Sequence, residues 1–235
     1  MKTDHRFCSH CGQERIKDSE SISGVMRHFL GDYFTFDSKI VNSIKPLLFK
    51  PGALTVEYEN GRRARYISPL RLYIFVSILF FLILAWSGDS PKLQEELTPD
   101  AGMWNSFFDV YLPRVFFVLL PIFALITNLL FRKLKMSYVG HLVFALHFHS
   151  FVFIVLMAYQ LLSRIFAANE LYTVNEILLS LTILWFMVYL ILALKRVFKR
   201  RIPGTLLRFF VLLALYSGMV FIALISITAF MTLRG

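Results

Sequence analysis

Three groups of side chains in this sequence have types and spacings that could do chemistry. The densest is Arg62-Arg63-Ala64-Arg65-Tyr66, followed by Arg71 and Tyr73. A guanidinium makes forked, charge-assisted hydrogen bonds to phosphate oxygens, which the ammonium of lysine does not. Three arginines and no lysine between Arg62 and Tyr66 therefore point to phosphate, and anionic lipid headgroups at a cytoplasmic membrane face are the nearest source. Arg62, Arg63, Arg65, Tyr66 and Arg71 form the candidate lipid or phosphate site. The competing reading is that these charges set membrane topology and recognise no particular lipid.

The second group is Cys8 and Cys11, the only cysteines in the chain, at a metal or redox spacing. A tetrahedral zinc site needs four ligands, and His5 and His10 are the local candidates, with His28 farther along. Three arrangements stay open: two cysteines with two histidines in one chain, a four-cysteine site shared by two chains, and a half-site that holds no metal. A thioredoxin-like redox role would need a βαβ context that the sequence lacks.

The third group is His141, His147 and His149, inside an apolar stretch with no Lys, Arg, Asp or Glu from Met136 to Ser163. Ionisable groups in such a stretch invite a metal or proton-relay reading. Geometry opposes chelation, because at ~100° per residue His147 and His149 lie about 160° apart on a helix and His141 lies two turns away from His149. Neutral histidines hydrogen-bonding neighbouring helices are the plainer expectation. Thr127, Asn128, Tyr159 and Gln160 read the same way, or as the polar lining of a pore. The sequence holds no recognisable Ser/His/Asp motif, Gly-rich phosphate loop or HExxH.

The elements that must position these groups are helices in and beside a membrane. Of 235 residues, 57% are hydrophobic and 17% charged, against about 45–50% and 25% in ordinary soluble domains. The net charge of +10 sits mostly beside apolar runs, which favours anionic headgroups over nucleic acid as the partner. The first twenty residues are polar and carry no apolar core of a cleavable signal. Residues 1–18 form a polar segment. In residues 19–69, Ile22, Val25, Met26, Phe29, Leu30 and Tyr33 share one helical face, and Ile40, Ile44, Leu47 and Leu48 share another. A short helix is expected from Pro51 to about Asn60, with Gly61 following its last residue.

Residues 70–233 divide into five apolar spans. They are Leu72–Gly88, Tyr111–Phe131 with Pro121 inside, His141–Ser163, Ile177–Leu194 and Leu206–Leu233, the last entered through a break at Pro203-Gly204. The loops between them alternate: 89–110 is acidic, Arg132, Lys133 and Lys135 are basic, 164–175 is short, and Lys195–Arg201 is strongly basic. That alternation places the N-terminus in the cytoplasm and the C-terminus outside the membrane. The expected fold is all-α, a polytopic membrane protein of about five spans with an amphipathic cytoplasmic N-terminal region.

Cys8-Ser9-His10-Cys11-Gly12, Pro51-Gly52, Glu57-Tyr58 and Gly61-Arg62-Arg63-Ala64-Arg65-Tyr66 together resemble the domain-of-unknown-function 3667 family of bacterial membrane proteins. The resemblance covers roughly residues 7–75. It implies a bacterial inner-membrane location and, in relatives carrying a second CxxC, a zinc site; it names no activity. The leading expectation is a non-enzymatic, homo-oligomeric membrane module that conducts, transports, or organises lipids or proteins. The alternative is a membrane enzyme acting on a phosphate-bearing lipid at the cytoplasmic face. Native mass spectrometry separates the three zinc readings. One zinc per chain marks the first, one per dimer that is lost with Cys8→Ser marks the second, and a metal-free chain marks the third.

Overall fold

The computed structural model describes residues 37–86, 112–132 and 136–232. The segment with Cys8, Cys11, His5, His10 and His28, the face from Ile22 to Tyr33, and the acidic loop lie outside them. Among the described residues every regular element is a helix: α1 (Asp37–Phe49), α2 (Ala53–Glu59), α3 (Pro69–Trp86), α4 (Leu112–Phe131), α5 (Tyr138–Ala168), α6 (Tyr172–Phe198) and α7 (Ile202–Thr232).

Among the described residues three helices are long and apolar enough to cross a membrane, over Tyr138–Phe166, Tyr172–Phe198 and Ile202–Ala223; Pro69–Leu84 and Val115–Phe131 are shorter apolar helices. Half of the most apolar window of α5 is buried, against 22% in α6 and 11% in α7, so α5 is the centre and α7 the rim. Helices α3, α4 and α6 pack on α5, and α7 packs on α4 and α6. Phe123, Phe144, Phe151, Phe153 and Tyr73 fill the interior, while Leu181, Leu184, Leu207, Phe210 and Phe221 remain exposed on the outer wall. A soluble domain hides such side chains; a wall of them suits lipid.

Basic residues of three helices gather at one end of the bundle. Phe131 at the end of α4 stacks on Phe198 at the end of α6, with ring centroids 4.0 Å apart, and His141 near the start of α5 stacks on the same Phe198. Arg208 near the start of α7 donates to the Leu130 carbonyl at 3.0 Å. Those contacts bring Arg132, Arg208 and the Lys195–Arg201 cluster to one end, the basic end. At the opposite end Arg164 of α5 lies over the Trp86 ring of α3.

Several boundaries differ from those read in the sequence. Pro51 starts a turn and not a helix: Ala53 N donates to Lys50 O at 2.9 Å, and Gly52 has φ 73° and ψ −3°, as the third residue of a type II turn requires. Helix α2 begins only after that turn. The break before α7 falls earlier than Pro203-Gly204: Lys199 in the left-handed region ends α6, and Pro203 sits in the first turn of α7, where its missing N–H costs nothing. Pro121 lies within an uninterrupted α4, and Pro46 within α1. Helices α5 and α6 both overrun the apolar spans that predicted them, since a helix continues as long as its backbone bonds do.

Gly61 follows the expectation. Its N–H donates to Tyr58 O and that of Arg62 to Glu57 O, each at 3.0 Å, the paired bonds of a Schellman motif. Both glycines carry positive φ, but their surroundings differ. A Cβ on Gly52 would meet Val197 Cγ2 at 2.9 Å and Ala193 O at 3.0 Å, whereas one on Gly61 would meet nothing within 4 Å. Gly61→Ala should therefore cost only the left-handed backbone penalty of about 1–2 kcal/mol. Gly52→Ala should cost clearly more, read as the larger drop in melting temperature in detergent. Equal losses would mean that the turn does not press on α6.

Candidate functional site

The arginine loop is held at the basic end by a cap made of α1, the Gly52 turn and α2. Helix α2 has seven residues, too few to persist alone, so its position comes from what it touches. Thr55, fully buried, shares a hydrogen bond of 3.0 Å with His147 Nδ1 of α5. Tyr189 of α6 donates its hydroxyl to the Leu47 carbonyl at 2.6 Å, and Arg196 Nη1 donates to the Pro51 carbonyl at 2.7 Å. Ser43 of α1 accepts from Ile67 N at 2.9 Å and so ties the cap to the entry of α3. Beside Thr55 and His147 a cavity of about 10 Å³, lined also by Lys50, Gly52 and Tyr189, has room for roughly one water.

The structure places the predicted phosphate-site residues differently from one another. Arg62 is engaged by Glu57: Nε and Nη2 donate to the two carboxylate oxygens at 2.5 and 2.6 Å. Arg63 lies 4.0 Å from the centroid of the Tyr58 ring and donates Nε to the Tyr58 carbonyl at 3.3 Å. Arg65 is exposed, Tyr66 packs against the core, and Arg71 is half-buried at the start of α3. The hydrogen bond from Arg62 holds the Glu57 carboxyl below the ordinary glutamate range; slight burial opposes this, and the charges of Arg62 and Arg65 reinforce it.

The three histidines do not converge. Among the described residues no group of three His, Cys, Asp or Glu could hold a metal. Each ring instead bonds a different neighbour. His149 Nδ1 faces the Ala145 carbonyl at 2.8 Å, so it must donate there, and Nε2 accepts from the Tyr216 hydroxyl of α7 at 2.8 Å. Thr127 of α4 donates to Ala124 O, so His141 Nδ1 donates to Thr127 Oγ1 at 3.3 Å. That leaves His141 Nε2 buried without a partner among the described residues. The interhelical reading of these residues is the one realised. Thr127 is consumed in it, and Asn128, Tyr159 and Gln160 are half-buried.

The roles of Glu57, Thr55, Tyr189 and Arg196 were missed from sequence. For Glu57 a signal existed: a Schellman glycine brings the residues on either side of the turn together, usually as an apolar contact. Here those positions hold Glu57 and Arg62. For Tyr189 and Arg196, more than 140 residues from their acceptors, no local signal exists.

A family model described as "Protein of unknown function (DUF3667)" matches residues 37–81, from α1 through the arginine loop into α3. This is the family that the motifs resemble, and the matched segment is the cap with the helix it leads into. No curated protein and no solved structure matches the chain.

Two outcomes follow. Thr55→Val should destabilise by about 1–3 kcal/mol, because His147 is left buried and unpaired. Adding His147→Leu should return part of that loss, measured as a double-mutant cycle by denaturant titration in detergent. Glu57, whose folded pKa is depressed, should titrate below an ordinary glutamate. The stability it contributes is complete above its unfolded pKa and is lost as pH falls through the folded one. Carboxyl NMR of the folded protein reads this directly, and Arg62→Gln should bring the value back up.

Proposed function

We propose that this chain crosses the cytoplasmic membrane five times and binds the phosphates of anionic lipids at its basic end, acting as a lipid-organising module and not as an enzyme. The observation that carries this reading is the sorting of the molecule into an apolar wall and one cationic end on which the arginine loop is displayed. In this reading α3 and α4 cross together with α5, α6 and α7. Helices α3, α5 and α7 start at the cytoplasmic face, and α4 and α6 end there. The positive-inside bias fits that orientation, since the Lys195–Arg201 cluster and the arginine loop share it.

Within the loop, Arg63 and Arg65 meet headgroups first. Arg63 is stiffened by Tyr58, which lowers the entropy lost when its guanidinium is fixed on a phosphate. Tyr66 packs behind them, and Arg71 reaches the interface from the first turn of α3. Conduction through one chain has less support, because aromatic rings fill the bundle interior and Thr127, a candidate pore residue, is spent on His141 and Ala124.

Retention of phosphatidylglycerol by the protein extracted from nanodiscs should fall roughly fivefold for each of Arg63→Gln and Arg65→Gln, as expected for one basic group at an anionic surface. Arg65→Lys should fall between wild type and Arg65→Gln, because it keeps the charge and loses the fork. Unchanged retention in all three would overturn the lipid assignment. Labelling of Arg65→Cys and Glu170→Cys from opposite sides of intact vesicles, in a Cys8→Ser/Cys11→Ser background, tests the orientation; labelling from the same side would refute it.

A further inference from the structure

The pairing of Glu57 with Arg62 uses the same two-pronged geometry that a phosphodiester would use. Both carboxylate oxygens take both near-side donors of the guanidinium, Nε and Nη2. The two non-bridging oxygens of a lipid phosphate accept in the same forked manner. Arg65 stands close enough to act on the same carboxylate through space, so the anion held there already feels two guanidiniums.

We propose that Glu57 is an internal stand-in for a lipid phosphate: its carboxylate holds the anion position of the arginine loop and leaves when a phosphodiester takes Arg62. The proposal rests on the reading that the basic end faces anionic headgroups. Three observations favour a displaceable stand-in over a structural staple.

The turn does not need the side-chain pair. Backbone bonds from Gly61 to Tyr58, Arg62 to Glu57, Arg63 to Gly61 and Tyr66 to Arg63 hold the loop without it. The pair is also wet, with the Arg62 and Glu57 side chains 57% and 27% exposed, and exposed ion pairs open readily. Finally, Arg63 is anchored on Tyr58 and does not follow Arg62, so release of Glu57 frees one fork while the rest of the loop keeps its shape. The internal carboxylate then sets a threshold. A sparse anionic surface does not displace it, and a dense one does.

The test compares the full chain with Glu57→Gln, Arg62→Gln, the double variant and Arg65→Gln in phosphatidylcholine nanodiscs, with and without phosphatidylglycerol. Retained lipid is read by native mass spectrometry, and a helical melt in the same discs checks that each variant is folded. Glu57→Gln should raise phosphatidylglycerol retention about two- to fivefold, the strength of an exposed ion pair, and the double variant should lose that gain. A gain seen instead with inorganic phosphate in phosphatidylcholine discs would overturn the lipid source. If Arg65→Gln lowers retention while Glu57→Gln leaves it unchanged or lowers it, Glu57 is a staple and only this proposal fails. If Arg65→Gln also has no effect, the reading of the basic end fails and this proposal fails with it.

Discussion

The buried hydrogen bond between Thr55 and His147 is the interaction on which the arrangement of the basic end depends. An unpaired hydroxyl or imidazole in that position would be costly, so the two must meet, and their meeting fixes the height of α2 along α5. The neighbouring bonds follow the same logic. Helix α1 ends at Phe49 and leaves carbonyls without intrahelical partners, and the turn adds another at Pro51. Lys50 N takes that of Pro46, Tyr189 that of Leu47, and Arg196 that of Pro51. Two side chains of α6 thus complete a helix end that is distant in sequence. Gly52 allows this by letting the turn approach the backbone of Ala193 more closely than a side chain would permit. The cap is therefore joined to the bundle through backbone groups as much as through apolar contact.

Helix α5 has the complementary role. His141, His147 and His149 point to α4, α2 and α7 respectively, so one helix carries a polar contact for each of three neighbours. The angular separation that makes them useless as a chelating set is what lets them serve different partners. Aromatic packing fills the spaces between: Phe123 contacts Phe144, Phe148, His149 and Tyr216, and Phe151 stacks on Tyr189 at 3.4 Å. Among the described residues the phenylalanines thus serve the interior, as Phe123 and Phe151 do, as well as the outer wall, as Phe210 and Phe221 do.

Much of this architecture was legible because its causes are local. Apolar runs marked α3 to α7, and Gly61 marked the end of α2. Pro51 misled because proline suits both the first helical position and the second position of a turn, and the following glycine decides in favour of the turn. The arginine loop was legible as a run of side-chain types but not as geometry. Arginine types alone do not show that Arg62 already has a carboxylate partner, or that Arg63 is laid on Tyr58. The long-range acceptors of Tyr189 and Arg196 were invisible, because they are backbone carbonyls, and every residue has one.

The unequal lengths of the helices carry a consequence of another kind. Helices α5, α6 and α7 have 31, 27 and 31 residues, whereas α3 and α4 have 18 and 20. At 1.5 Å per residue these are about 46, 40 and 46 Å against about 27 and 30 Å. Set in a bilayer of roughly 30 Å hydrocarbon thickness, helices of 40 Å and more must tilt or stand out of it.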